Sequence, residues 1–295
     1  MAGEEIRFGS GDGECVGRLY LPPPAVALAP GVVIGSGFAC VRDQGLDAVG
    51  ERLAAAGFAA LAFDYRHWGE SPGEPRSLMS AARQRQDWTS AFRCLRELEG
   101  VDSERIALWA YSLGTGHIQS LAAKGLGGVG ALVCVAPLIS GLSSLIHMGG
   151  PSHAVRLAAA GARDAARAVR GASPHRVPAT GPPGSIGVLN SPDSEPGYAA
   201  ITPPGSSFRN EACARAALVP PYRLLRGARR IEVPVLYCVF EDDDVNPPEL
   251  AIRAAERAPR GELRTYPGGH FAPFQADAFD RMLEDQVEFL ARVMA

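Results

Sequence analysis

The sequence predicts an α/β fold, a doubly wound and mostly parallel sheet with an inserted cap, on three observations. From residue 31 onward, short continuous apolar runs alternate with segments of helical length, which is how strands covered on both faces by helices read. The alternation stops between residues 136 and 231. At Ala110-Tyr111-Ser112-Leu113-Gly114 an apolar run passes into a helical segment across a serine flanked by small residues.

Taken in order, residues 14–20 predict a strand that pairs with the segment before Gly9 as an antiparallel edge hairpin, turning through Gly9-Ser10-Gly11-Asp12-Gly13. Strands follow at 31–35, 59–63, 106–110, 131–135, 233–240 and 262–266, with helices near 48–56, 77–98, 113–124, 248–257 and 274–293. Glu104-Arg105 is a charged lead into the apolar run Ile106-Ala107-Leu108-Trp109-Ala110, and Gly125 closes the helix that comes after Ser112. In the interruption, residues 148–170 and 211–225 predict two further helices, and residues 171–207 hold 8 prolines and 6 glycines. A loop that long is usually functional or disordered. With only three charged residues in that window, and Ile186, Val188, Leu189, Tyr198, Ile201 and Phe208 available for burial, an ordered cap over the serine is the expectation. The chain therefore divides into a core at 1–139, the cap at 140–228 and the rest of the core at 229–295.

Composition narrows the function. The 29 basic and 32 acidic residues leave a net charge of -3 without a basic run, so no nucleic acid is expected as a partner. Lys124, the one lysine, lies at the far end of its helix, which removes Schiff-base chemistry. The six cysteines are scattered with no C-x-x-C pair, and Met1-Ala2-Gly3-Glu4-Glu5 does not begin a secretory signal, so a reduced cytoplasmic protein is expected. Residues 125–155 are uncharged and long enough to span a bilayer, but glycines and Pro137 and Pro151 break them into shorter elements. No membrane association follows.

A serine at a strand-to-helix corner sits on a tight turn that lifts its hydroxyl above the sheet edge, where it is placed to attack an acyl carbon. Strand and helix pass close there, which is why small residues are needed two before and two after; Gly114 meets this, and Ala110 does so with one extra methyl. The hydroxyl needs a base. His270, in Tyr266-Pro267-Gly268-Gly269-His270-Phe271, follows the last strand at the carboxyl edge where Ser112 emerges. His67 follows another strand and is its best competitor; His117, His147, His153 and His175 read as surface or internally satisfied histidines. The base needs an orienting acid, and the strand ending at Phe240 runs into Glu241-Asp242-Asp243-Asp244. Such a run is ordinarily a solvated turn, which leaves one of the four to hold the imidazole.

These segments resemble the α/β-hydrolase superfamily over nearly the whole length, most closely its dienelactone-hydrolase-like and X-Pro-peptidase-like acyl hydrolases with a cap insert. The resemblance is carried by Gly35-Ser36-Gly37-Phe38, Ala55-Ala56-Gly57-Phe58, Phe63-Asp64-Tyr65-Arg66-His67-Trp68-Gly69-Glu70-Ser71, Val101-Asp102-Ser103-Glu104-Arg105-Ile106-Ala107, the corner at Ser112, Asp243-Asp244-Val245-Asn246-Pro247-Pro248 and Gly268-Gly269-His270-Phe271. It implies Ser112, Asp243 and His270 as the catalytic residues, Asp243 being the aspartate placed ahead of V-x-P. It also implies the backbone N–H groups of Phe38 and Leu113 as the oxyanion donors, although Ser36-Gly37 stands where the family usually has His-Gly. Asp64 and Arg66 resemble a structural turn.

The expected reaction is hydrolysis of a carboxylic ester, lactone or thioester through an acyl-enzyme on Ser112, with no cofactor and no metal. The rivals are a lyase, dehydratase or cyclase using the same residues on a natural-product-like substrate, and a catalytically silent ligand-binding protein. Trp68 and Tyr111, near the expected mouth with Phe38 and Cys40, suggest a small-molecule substrate with an apolar or aromatic acyl group. Oligomeric state is left open, a homodimer included.

Overall fold

The computed structural model describes residues 3–23, 28–218 and 222–295. In chain order the elements are β1 (Glu4–Ser10), β2 (Gly13–Tyr20), β3 (Ala29–Gly35), α1 (Leu46–Ala55), β4 (Ala59–Phe63), α2 (Ala81–Arg96), β5 (Val101–Tyr111), α3 (Leu113–Ala122), β6 (Val129–Val135), α4 (Gly141–Val169), β7 (Arg176–Val177), α5 (Ser194–Ile201), β8 (Ala212–Cys213), β9 (Val235–Phe240), α6 (Pro248–Ala255), β10 (Gly261–Tyr266) and α7 (Ala276–Val293). Eight strands form one sheet in the order β1-β2-β4-β3-β5-β6-β9-β10. β1 and β2 form the antiparallel edge hairpin, β2 is antiparallel to β4, and from β4 to β10 neighbours run parallel.

The parallel strands are apolar end to end because helices cover both faces: Val32, Val33, Ile34, Leu61, Leu108, Trp109 and Val133 are fully buried. Polar atoms within this core are paired. The Trp109 indole N–H donates to Gln286 Oε1 at 2.8 Å and the Trp88 N–H to the Tyr65 hydroxyl at 2.9 Å. The turn after β4 is structural in the same sense: the Asp64 carboxylate accepts the Arg42 and Glu70 N–H groups, and Arg66 Nε donates to the fully buried Asp87 at 2.5 Å.

Three helices differ from their sequence expectation. The helix expected from residue 77 starts at Ala81, because the Ser80 hydroxyl caps the Arg83 N–H. The one expected at 148–170 begins earlier, at Gly141, and is broken where Gly150 takes φ 73° and Pro151 opens the second half. The one expected at 211–225 does not form over its described part: residues 212–213 pair with β7 and a single 3-10 turn spans Ala214–Ala217, while residues 219–221 lie outside the described residues. The cause is Asp164 on α4, fully buried, whose carboxylate accepts the Arg215 backbone N–H at 3.0 Å, the Arg215 Nε at 2.7 Å and the His175 N–H at 2.7 Å. A helix over 211–225 would pull the two Arg215 donors away.

The proline-rich window is ordered around α5. Its Leu189 and Tyr198 are buried, and Val188, Ile201 and Phe208 pack against the main core. No helix among the described residues is long and apolar enough to cross a membrane. Residues 125–155 instead cover β6 and the start of α4. All six cysteines are free thiols.

Two expectations on stability follow. Arg66→Met leaves Asp87 buried without its cationic partner and should cost about 3–5 kcal/mol in urea-induced unfolding; a loss within experimental error would show that the pair is dispensable. His117 on α3 is fully buried, donating from Nε2 to Gln84 Oε1 of α2 at 2.9 Å and accepting the Tyr222 hydroxyl, and burial pushes its pKa down from 6.5 to about 3. Between those two values the unfolded chain takes up a proton that the folded chain does not, so stability present above pH 6.5 is lost as pH falls toward 3. Unfolding measured at about pH 7 and about pH 5 should give a smaller difference for His117→Gln than for the wild type.

Candidate active site

Ser112 occupies the single residue between β5 and α3, with φ 52° and ψ -120°. A left-handed backbone at a residue with a Cβ costs about 1–3 kcal/mol and persists only where its surroundings over-determine it. Here they do. The Ser112 N–H donates to Val135 O at 2.9 Å, and its carbonyl accepts from the Thr115 N–H at 3.0 Å and the Thr115 hydroxyl at 2.7 Å. Three backbone segments crowd the corner: a Cβ on Gly114 would lie 2.5 Å from Ser36 O, and one on Gly37 would lie 2.9 Å from Ser112 Cβ. Neither backbone leaves room for a methyl. Ala110, on the strand side, is fully buried with its methyl accommodated.

His270 stands on the turn after β10, and its Nε2 lies 2.9 Å from Ser112 Oγ. Its Nδ1 lies 2.8 Å from Asp243 Oδ2, on the turn after β9. The other carboxylate oxygen of Asp243 accepts the N–H groups of Val245 at 2.9 Å and Asn246 at 2.7 Å. With both oxygens held the carboxylate has no freedom to rotate, and an ionised Asp243 selects the tautomer with Nδ1–H, which leaves the Nε2 lone pair facing the hydroxyl. All three side chains are buried, with 1–5 % of each residue exposed. Of the four carboxylates after β9, Asp243 faces the imidazole and Glu241 and Asp242 are exposed. Asp244 departs from the expected solvated turn: it accepts the Ser191 hydroxyl at 2.9 Å and the Asp193 N–H at 3.0 Å, both from the segment between β6 and β9.

The Phe38 and Leu113 N–H groups have no acceptor among the described residues, and both residues border Ser112 across the same cavity. The Phe38 carbonyl accepts a hydrogen bond from the Tyr198 hydroxyl of α5. The cavity, of ≈ 70 Å³, is lined by Ser112, Phe38, Leu113, Met79, Leu138, Val245 and Asn246, and by Gly141, Ser144, Leu145, Met148, Val188, Leu189, Ala216 and Ala217 of the inserted segment.

Trp68 and Tyr111 are not among those lining residues. Trp68 packs edge-on against Phe38 at 6.2 Å between ring centroids and donates its indole N–H to Leu78 O. Tyr111 lies behind His270, its ring 5.1 Å from the imidazole and its hydroxyl donating to His270 O at 3.0 Å. Trp68 sits one layer back, behind Phe38, which lines the cavity, and Tyr111 sits behind His270. His67 lies in a separate small cleft with Arg76 and Arg209. His147 reaches the Asp243 carbonyl from α4 at 3.2 Å, and His153 the Val188 carbonyl at 3.2 Å.

Several residues of this site were not singled out from the sequence. Asn246 joins three parts at once: its N–H holds Asp243, its side-chain N–H donates to Ala136 O at 2.9 Å, and its Oδ1 accepts the Ser144 hydroxyl at 2.8 Å. Its place directly before Pro247 was the available signal. Met79, Leu145 and Met148 had none, being apolar residues in segments without a clear period.

The alpha/beta hydrolase family model matches residues 27–284. A quorum-quenching protein, AidA, of Acinetobacter baumannii is 35% identical over 291 residues, 98% of this chain and 95% of its own. A thiohydrolase, aneE, of Aspergillus aculeatus is 36% identical over 109 residues, 37% of this chain and 33% of its own. Among solved structures, the alpha/beta hydrolase GrgF from Penicillium sp. sh18 superposes with a TM-score of 0.82 over 100% of this chain and 99% of its own at 24% identity, a likeness of fold.

Asp243→Asn keeps the two backbone N–H contacts but turns the acceptor facing Nδ1 into an amide and inverts the imidazole tautomer. The expected result is a fall in kcat of about 10⁴ with little change in KM for any ester that the wild type turns over. A fall below tenfold would remove Asp243 from the orienting role.

Proposed function

The chain belongs to the alpha/beta hydrolase family, and on that premise we propose that it is a serine hydrolase cleaving a carboxylic ester, lactone or thioester through an acyl-enzyme on Ser112. The observation that carries the reading is the unbroken buried series of Ser112 Oγ, His270 and Asp243, at 2.9 Å and 2.8 Å, opening on an apolar cavity. His270 Nε2 takes the hydroxyl proton as Ser112 Oγ attacks the acyl carbon, and the Asp243 carboxylate faces the imidazolium that forms. The free N–H groups of Phe38 and Leu113 hold the oxyanion, each donor being worth about 3–4 kcal/mol of the barrier. His270 then protonates the leaving group, and water resolves the acyl-enzyme by the same steps in reverse order.

The segment at 140–228 acts as the cap, since it supplies much of the cavity wall. A cavity of ≈ 70 Å³ with an apolar wall favours a short apolar acyl chain. The likeness to a quorum-quenching protein along almost the whole chain supports a small-molecule substrate. The shorter likeness to a thiohydrolase supports including thioesters among the candidates.

The test is a panel of p-nitrophenyl esters, a butyryl thioester and a small lactone, run beside a fluorophosphonate probe and a Ser112→Ala control. Turnover and labelling in the wild type, both lost in Ser112→Ala, with short acyl chains preferred to long ones, is the expected result. Labelling at Ser112 without turnover of any member would shift the reading to lyase, dehydratase or cyclase chemistry, which an apolar cavity wall favours. An unlabelled Ser112 would remove it as nucleophile.

A further inference from the structure

A second and larger hollow, of ≈ 670 Å³, adjoins the apolar cavity; Met79 and Ala216 line both. Its character is opposite. Arg83, Arg85, Lys124 and Arg215 line it, and no acidic residue among the described residues does. Two of these cations are already engaged, Arg83 with Asp12 at 2.7 Å and Arg215 with the buried Asp164 at 2.7 Å. The other two are not: Arg85 donates to the Tyr222 hydroxyl at 3.1 Å and lies 5.8 Å over its ring, and neither Arg85 nor Lys124 has a carboxylate partner among the described residues. In a chain of net charge -3, two unneutralised cations in a groove that adjoins the cavity lined by Ser112 form a receptor for an anion.

Position along α3 indicates how far from Ser112 that anion lies. Arg85 meets the Tyr222 hydroxyl that also meets His117, five residues beyond Ser112, and Lys124 is twelve residues beyond it. At about 1.5 Å per residue the first lies roughly 8 Å along α3 from the nucleophile, and Lys124 lies past the end of the helix at Ala122, itself about 15 Å along. An anion held between them belongs to a long group. It does not belong to the acyl chain, since the wall around the acyl cavity is apolar.

We propose that this groove binds the phosphate of the leaving group, so that the substrate is a short-chain acyl ester or thioester whose alcohol or thiol carries a phosphate. The inference rests on the serine-hydrolase reading for its chemistry. Ser112 Oγ bonds to the acyl carbon, the carbon–oxygen or carbon–sulfur bond breaks, and the phosphorylated alcohol or thiol leaves with the proton from His270. Water then releases the carboxylic acid. Arg85 and Lys124 stay with the phosphate throughout and take no proton.

The groove is tested by binding, separately from turnover. Intact Ser112→Ala protein, used to prevent turnover, is titrated calorimetrically with two matched pairs: butyryl-pantetheine with and without its terminal phosphate, and butyryl-glycerol with and without a 3-phosphate. At low salt the phosphorylated thioester should bind on the order of tenfold more tightly than its neutral partner. That advantage should shrink with added salt, and with either Arg85→Gln or Lys124→Gln. The same advantage confined to the glycerol pair, whose phosphate is only three carbons from the acyl oxygen and too close to Ser112 to lie between Arg85 and Lys124, would overturn the placement. Equal binding within both pairs, or an advantage that survives both substitutions, overturns the proposal. Turnover of p-nitrophenyl butyrate by the wild type is the independent readout: its absence counts against the hydrolase reading and leaves the phosphate comparison to stand or fall alone.

Discussion

The left-handed backbone at Ser112 is the constraint around which the molecule is arranged. A residue with a Cβ at φ 52° does not hold that conformation by itself, so the chain fixes it from three directions. β6 supplies the acceptor for its N–H through Val135, α3 returns Thr115 to its carbonyl, and the loop leaving β3 presses Ser36 and Gly37 against the corner. Those three contacts require β3, β5 and β6 to be neighbours, which is their order in the sheet. β9 and β10 continue on the same side, so the turns bearing Asp243 and His270 come to the same edge. The crossover topology and the meeting of the three side chains are two aspects of one requirement.

The inserted segment is joined to this edge by polar contacts as well as apolar ones. Tyr198 holds the Phe38 carbonyl, Ser191 and the Asp193 N–H hold Asp244, Ser144 holds Asn246, and His147 reaches the Asp243 carbonyl. Each partner lies in a loop that also carries a group of the site. At about 0.5–1.5 kcal/mol net per hydrogen bond, the set helps to keep the segment seated. Displacing the segment would therefore disturb Phe38 and Asp243 as well as open the cavity. Burial, and then the neighbouring Asp244 charge, push the Asp193 carboxyl above its ordinary pKa, so the clasp is built where two acids approach each other.

The legible parts of the fold are those set by burial alone. Strands covered on both faces have no choice of residue beyond apolar ones, and 31–35, 59–63 and 131–135 declared themselves as such runs. The segment at 211–225 did not, because its conformation is decided by Asp164, some fifty residues away, and no local propensity records that partner. The site divides in the same way. Ser112 and His270 follow from strand ends and small residues, whereas Asp243 stands among four like residues and is distinguished by what its backbone neighbours donate to it. Trp68 and Tyr111 were placed in the right neighbourhood but one layer forward of where they lie: which of two adjacent aromatic rings faces the cavity is a packing outcome, and sequence position does not encode it. The lining supplied by Leu145, Met148, Val188 and Ala217 depends on the path of the insert, which no local pattern of residues encodes.

That division has a consequence for how chemistry and selection are distributed. The groups around Ser112 are held by backbone and by one another: the oxygens of Asp243 by Val245, Asn246 and His270, His270 through its carbonyl by Tyr111, and Ser112 by Val135 and Thr115. None of these contacts uses the aliphatic side chains that line the cavity. A change of Leu145 or Met148 alters the volume beside the hydroxyl and leaves the path from hydroxyl to carboxylate in place, while a change at Asn246 reaches Asp243 and the insert together. The apolar wall is therefore free to vary with the contacts among Ser112, His270 and Asp243 intact. The polar ties between insert and core are the points where the wall and those contacts meet.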